Sequence, residues 1–99
     1  MRYEIKRTRL FDRWLSSLAD RQAVNAINKR FTRLTLGNFG DAKTIGSGVF
    51  ELRFFIGPGY RVYYTIRQGQ IILLPAGGDK SSQQKNIKQA LAIIRTLEE

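Results

Sequence analysis

The sequence predicts an α+β fold, an antiparallel β-sheet with two N-terminal helices and one C-terminal helix packed on it. Three observations carry that expectation. Residues 49–67, VFELRFFIGPGYRVYYTIR, alternate apolar and polar side chains on both sides of Gly57-Pro58-Gly59, as the two strands of a hairpin do. Apolar residues recur at helical spacing in three other segments, two before the hairpin and one after it. The resulting order, β-α-α-β-β-β-β-α, argues for one sheet with helices laid on it.

Taken in order, residues 2–7 read as a strand with Tyr3 and Ile5 on one side, and Thr8 can cap the helix that follows. In that helix Phe11, Trp14, Leu15 and Leu18 form one apolar stripe. Asp20 caps a second helix that ends near Leu36 and Gly37, with Val24, Ile27, Phe31 and Leu34 inward; the short link implies an antiparallel pair. Gly37, Gly40, Gly46 and Gly48 punctuate a loop holding a short strand around residues 42–45. After the hairpin, Gln68-Gly69 marks a tight turn into residues 71–76, apolar on both faces and therefore an interior strand. Ser81 and Gln84 fit a capping box, and Ile87, Ala90, Leu91, Ile94 and Leu97 give the last helix its stripe.

If Gly57-Pro58-Gly59 is the hairpin loop, Phe54 lies opposite Val62 and Leu52 opposite Tyr64 on one face. Arg53 then stands beside Tyr63, Phe55 beside Arg61 and Glu51 beside Thr65 on the other, and a slip of one residue would mix the two sets. One face builds a core. The other interleaves cations with aromatic rings, a surface suited to phosphates and unstacked bases. An ordinary solvated sheet face with Arg and Tyr stems covering apolar surface would look the same.

A length of 99 residues gives one domain, residues 1–99, and a hydrophobic content of 42% with eleven aromatic residues is enough to fold it. The absence of cysteine removes disulfides and thiolate metal sites, and the absence of histidine removes the commonest metal ligand and the usual general base. Neither metal nor cofactor is expected, and any chemistry falls to Lys, Arg, Tyr, Asp or Glu. The longest apolar runs, residues 71–74 and 91–94, are far too short to span a bilayer, which with the strand-like start predicts a cytoplasmic protein. A formal net charge of +9 implies an acidic partner, and residues 1–36 alone carry nine basic and three acidic side chains. Lys29, Arg30 and Arg33 on the second helix are thus candidates for docking RNA, ribosome or an acidic partner protein, away from the hairpin; a solvated helix face that aids solubility is the competing account.

The stretch GDAKTIGSGVFELRFFIGPGYRVYY (residues 40–64) and GGDKSSQ (residues 77–83), with YEIKRT near the start and a closing helix, resemble the HigB-like branch of the RelE/ParE toxin superfamily, the addiction-module killer proteins. The resemblance spans essentially the whole chain, its motifs in the family's order. It implies the toxin of a type II toxin-antitoxin pair: a ribosome-dependent mRNA endoribonuclease that halts translation and growth. The implied partners are a cognate antitoxin, a small helix-turn-helix DNA-binding protein, together with the ribosome and mRNA. ParE-type members of the superfamily instead poison DNA gyrase and cut no RNA, and an inactive member would only bind its antitoxin.

Several relatives cut mRNA with dispersed basic residues. Metal-free cleavage needs a base at the 2′-hydroxyl, cations on the crowded phosphorane and an acid at the leaving 5′-oxygen. Carried over by motif, the catalytic positions are Lys43 in GDAK, Arg53 in ELR, Arg61 in GYRVYY and Lys80 in GGDK. Lys43 is the expected general base, its pKa lowered by neighbouring cations. Arg53 and Arg61 project from paired strands with guanidinium forks suited to phosphate oxygens, although Glu51 is near enough to pair with Arg53. Lys80 follows Gly77-Gly78-Asp79 at a strand-to-helix junction, where backbone N–H groups favour an anion; ribosome-dependent relatives often carry arginine or histidine there. Tyr63, Phe55 and Asp79 are the candidate substrate-binding residues, Tyr63 placed to stack a base and Asp79 also placed to orient Lys80 or cap the turn, and Tyr64 belongs to the core.

Overall fold

Thr8 illustrates how side chains set the element boundaries. Its hydroxyl accepts the Phe11 N–H at 3.3 Å, capping α1 (Arg9–Ser17), and donates to the Leu73 carbonyl at 2.8 Å, tying the helix start to the sheet. Asp20 caps α2 (Arg21–Thr35) by accepting from Ala23 N–H at 3.2 Å. In this computed structural model residues 2–40, 42–57, 59–77 and 82–97 are described. The remaining elements are β1 (Glu4–Arg7), β2 (Ala42–Gly46), β3 (Val49–Arg53), β4 (Arg61–Arg67), β5 (Gln70–Gly77) and α3 (Gln83–Leu97).

The five strands form one sheet in the order β1-β5-β4-β3-β2. β2 to β5 are antiparallel neighbours as expected, whereas β1 joins the far side of β5 in parallel, Ile5 pairing with Ile71. β1 can do so because the α1-α2 pair carries the chain across the sheet to its opposite edge before β2 begins. Ser47-Gly48 and Gln68-Gly69 are two-residue hairpin loops with positive φ at both positions, glycine taking +80° and +76°. Between Val62 and Tyr64 on β4, β5 carries one extra residue, so Leu74 and Pro75 oppose Tyr63. Proline lacks the N–H that a central ladder demands, which places the bulge there.

The two sheet faces bury separate cores. Phe11 of α1 and Ala23, Ile27, Phe31 and Leu34 of α2 pack on Leu52, Phe54, Val62, Tyr64, Ile71 and Leu73. On the other face Ala90 and Ile94 of α3 pack on Val49, Tyr63, Ile72 and Leu74, with Ile87 and Leu91 partly buried beside them. Fully burying a Phe or Leu side chain here contributes about 1.5–3 kcal/mol. Among the inward positions expected of α2, Val24 is only partly buried, and Ala23 takes the covered place. Ser81, expected to cap α3, lies outside the described residues.

Candidate functional site

The hairpin pairs two residues out of the expected register. Phe50 faces Tyr64, Glu51 faces Tyr63, Leu52 faces Val62 and Arg53 faces Arg61. The strands stop short of Gly57-Pro58-Gly59: Phe55 and Ile56 belong to the loop, Phe54 N–H donates to Tyr60 O at 2.9 Å, and Gly59 N–H donates to Ile56 O at 3.1 Å to close a turn. Because the shift is even, the paired residues of β3 and β4 keep their expected faces, but the neighbours change. Arg53 stands opposite Arg61 in place of Tyr63, Phe55 pairs with neither, and Glu51 meets Tyr63 in place of Thr65.

The face expected to be open is largely covered. The stripe of α3 packs on it, leaving Tyr63 0% exposed, Glu51 2% exposed and Thr65 buried. Tyr63 is therefore corrected from a base-stacking residue to a core residue whose ring no base can reach in this structure. Its hydroxyl lies against Glu51 and Gln83 without full hydrogen-bond geometry to either among the described residues. Burial first, then the Glu51 carboxylate, raises the phenol's pKa well above its ordinary range, with Arg61 and Gln83 acting in the opposite sense. Glu51 accepts from Gln83 Nε2 at 2.9 Å, which ties the first residue of α3 to the middle of β3.

Lys43 is exposed on edge strand β2, on this same face, and its directly opposed neighbour is Glu51. The cations expected beside it are not directly opposed to it; Arg53 lies diagonally, two residues along β3 from Glu51. Arg53 and Arg61 are half-buried, and the Arg61 Nη1 donates to Gly59 O at 3.2 Å while its Nε is buried with no hydrogen bond among the described residues. The face thus carries Lys43, Glu51, Arg53, Arg61 and Tyr63 across three adjacent strands. Lys80 and Asp79, the remaining expected members, lie outside the described residues. Tyr64 is core as expected, nearly parallel to the rings of Phe39 and Phe50, and its burial pushes its pKa up to about 12, partly offset by Arg30.

The charge on α2 is not remote from the hairpin. Lys29, Arg30, Arg33 and Ala26 line one groove of about 330 Å³ with Arg53, Phe54, Phe55 and Ile56. Arg30 is committed to the fold: it donates to Phe39 O at 3.2 Å and Arg53 O at 3.5 Å, with its guanidinium carbon 5.2 Å from the centre of the Phe54 ring. Lys29 and Arg33 are exposed. Phe55 is 81% exposed, and the Arg53 guanidinium carbon lies 5.9 Å from its ring centre. A larger hollow, about 590 Å³, is lined by Lys6, Arg7, Arg67 and Gln68 at the β1 edge and the β4-β5 turn, the far end of β4 from Arg61, so size alone does not mark the chemistry. The Glu51-Gln83 tie went unread in the sequence because a single acid on a strand looks like any solvated side chain; the role of Arg30 has no local signal at all.

Among the described residues no helix is long and apolar enough to cross a membrane, and no three His, Cys, Asp or Glu side chains are grouped to hold a metal ion. No family model matches the chain. In structure the chain is similar to a mutant of the E. coli toxin RelE in its free state, with a TM-score of 0.79 and 14% identity over 95% of this chain and 99% of that one. In sequence it is 48% identical to an uncharacterized protein of Haemophilus influenzae over 97 residues, 98% of each chain. The chain therefore belongs to the same family as that Haemophilus influenzae protein, and the fold it carries is that of RelE.

Proposed function

We propose that this protein is the toxin of a type II toxin-antitoxin pair, of the HigB-like branch, and that it cleaves mRNA on the ribosome. The observation that carries the reading is Arg53 directly opposite Arg61 on a face shared with Lys43. Two guanidinium groups that face each other across paired strands can hold one phosphate between them. In the proposed reaction the two guanidinium groups hold the scissile phosphate and stabilise charge on the phosphorane. Lys43 takes the 2′-hydroxyl proton and Lys80 returns one to the leaving 5′-oxygen, so no metal or cofactor enters. The likeness in fold to RelE, named a toxin, supports the reading. The proposed partners are the ribosome with its mRNA and a helix-turn-helix antitoxin encoded alongside, and the proposed place of action is the cytoplasm.

Brief expression without antitoxin should stop growth and produce new mRNA 5′ ends inside coding regions. Intact transcripts with gyrase-dependent DNA breaks would show a ParE-type poison instead. Intact transcripts with unimpaired growth would show a chain that only binds its antitoxin.

A further inference from the structure

We propose that the groove between α2 and the hairpin loop is a subsite for single-stranded RNA, in which one base stacks on Phe55 and the flanking phosphates meet Lys29 and Arg33. This rests on the ribonuclease reading and extends it from the reacting phosphate to the strand beside it. At the lip of the groove stands Phe55, 81% exposed and the most exposed large apolar residue among those described, so one face of an aromatic side chain is open beside the cations of α2. A guanidinium lies 5.9 Å from that ring's centre, an arrangement that favours a flat, electron-rich partner on the ring. Phe54 and Ile56 also line it, and no carboxylate does so among the described residues.

The cations divide by role. Arg30 is held by two backbone carbonyls and the Phe54 ring, which leaves Lys29 and Arg33 as the exposed pair. Those two are four residues apart on α2, neighbours on one helix face, so one strand of phosphates can run past both. An acidic peptide would satisfy the same charges but has no use for a bare ring at the lip, and stacking on such a ring is how proteins hold bases without reading sequence. Arg53 lines this groove and is also the cross-strand partner of Arg61, which sets the groove beside the proposed reacting pair.

The probe is a short, labelled 2′-O-methyl RNA of mixed sequence, which binds like RNA but lacks the nucleophile. Against it, Phe55→Ala should weaken binding roughly tenfold to a hundredfold, Phe55→Trp should restore it, and neither should change the salt dependence. The pair Lys29→Ala with Arg33→Ala should lower the slope of log K against log salt by about 1.4, since each phosphate contact on a single strand accounts for about 0.7. All these positions are exposed, and unchanged thermal unfolding confirms that each variant folds. If all variants bind within about twofold of wild type while transcripts are still cut in cells, the groove is not the subsite and the nuclease reading stands. If wild type neither binds the probe nor cuts transcripts, the nuclease reading fails and takes this inference with it. If the probe is ignored but a short Asp/Glu-rich peptide binds and depends on Lys29 and Arg33, the groove belongs to an acidic protein segment and the inference is overturned.

Discussion

Arg53 and Arg61 stand directly opposite each other across β3 and β4, two like charges in a position where a sheet ordinarily sets opposite ones. Like charges directly opposite each other repel, and an anion held between the two guanidinium groups offsets that repulsion.

Arg61→Gln should therefore separate stability from activity. Glutamine can still donate toward the Gly59 carbonyl that Arg61 now reaches at 3.2 Å, while the repulsion with Arg53 disappears. Urea unfolding at low salt should show the variant as stable as wild type or up to about 0.5 kcal/mol more stable, with the difference shrinking as salt screens the pair. Single-turnover cleavage on purified ribosomes should fall by about two orders of magnitude or more. A stability loss beyond about 1 kcal/mol would show that Arg61 holds the hairpin together and would remove the argument for a phosphate there.

Stability should fall in alkali through two buried phenols. Both Tyr63 and Tyr64 have folded pKa values above the ordinary value of 10.0, so the unfolded chain gives up those protons first. Their contribution is complete below pH 10 and lost as pH rises through the folded values, at up to about 1.4 kcal/mol per pH unit for each tyrosine. For Tyr64 the loss ends near pH 12. Unfolding free energies measured from pH 9 upward should decline less steeply for Tyr64→Phe. Equal slopes would mean that water reaches the Tyr64 hydroxyl in the folded state.

The stripes, caps and turns were legible in the sequence because each depends on neighbours in the chain. Thr8 and Asp20 cap the helices they precede, and Gln68-Gly69 turns where glycine permits it. The hairpin's faces were legible for the same reason, and an even register shift left them intact although Gly57-Pro58-Gly59 pointed to a shorter loop. What could not be read is what covers a face. The stripe of α3 announces burial without saying against which side of the sheet, so Glu51 and Tyr63 looked open and are covered. The nearness of Arg53 to α2 was invisible too, since 20 to 24 residues separate it from Arg33 and Lys29 and only the packing of α2 on the sheet brings them to one groove.

Glu51 should act as the peg that holds α3 in place. It is buried, and it accepts from Gln83 at the first residue of that helix. Glu51→Ala leaves the Gln83 amide unpaired above a cavity, at a cost of about 2–3 kcal/mol. Glu51→Gln keeps the shape and an acceptor and should cost less than about 1 kcal/mol. Hydrogen exchange should localise the alanine effect to the first turns of α3. Uniform loss of protection across β3 and β4 would show that Glu51 supports the sheet instead.

Gly77 meets the same helix from the end of β5. A Cβ there would fall on the Asn86 amide nitrogen and within 2.8 Å of Ser82 Oγ, and Asn86 is itself buried. Gly77 is not among the glycines with positive φ, so the obstacle to a larger residue is space and not backbone conformation. Gly77→Ala should destabilise by about 1–3 kcal/mol, the range for overpacking a close contact. Because the clash is with the Asn86 side chain, adding Asn86→Ala should recover part of that loss, and a double-mutant cycle should give a favourable coupling of about 1 kcal/mol. The single variant should also loosen the first turn of α3 and make Tyr63 more accessible, read as faster exchange at Asn86 N–H, which now bonds to Ser82 O at 3.0 Å. Purely additive costs would mean that β5 moves away from α3 instead, and that the close approach at Gly77 does not fix how the helix sits over Glu51 and Tyr63.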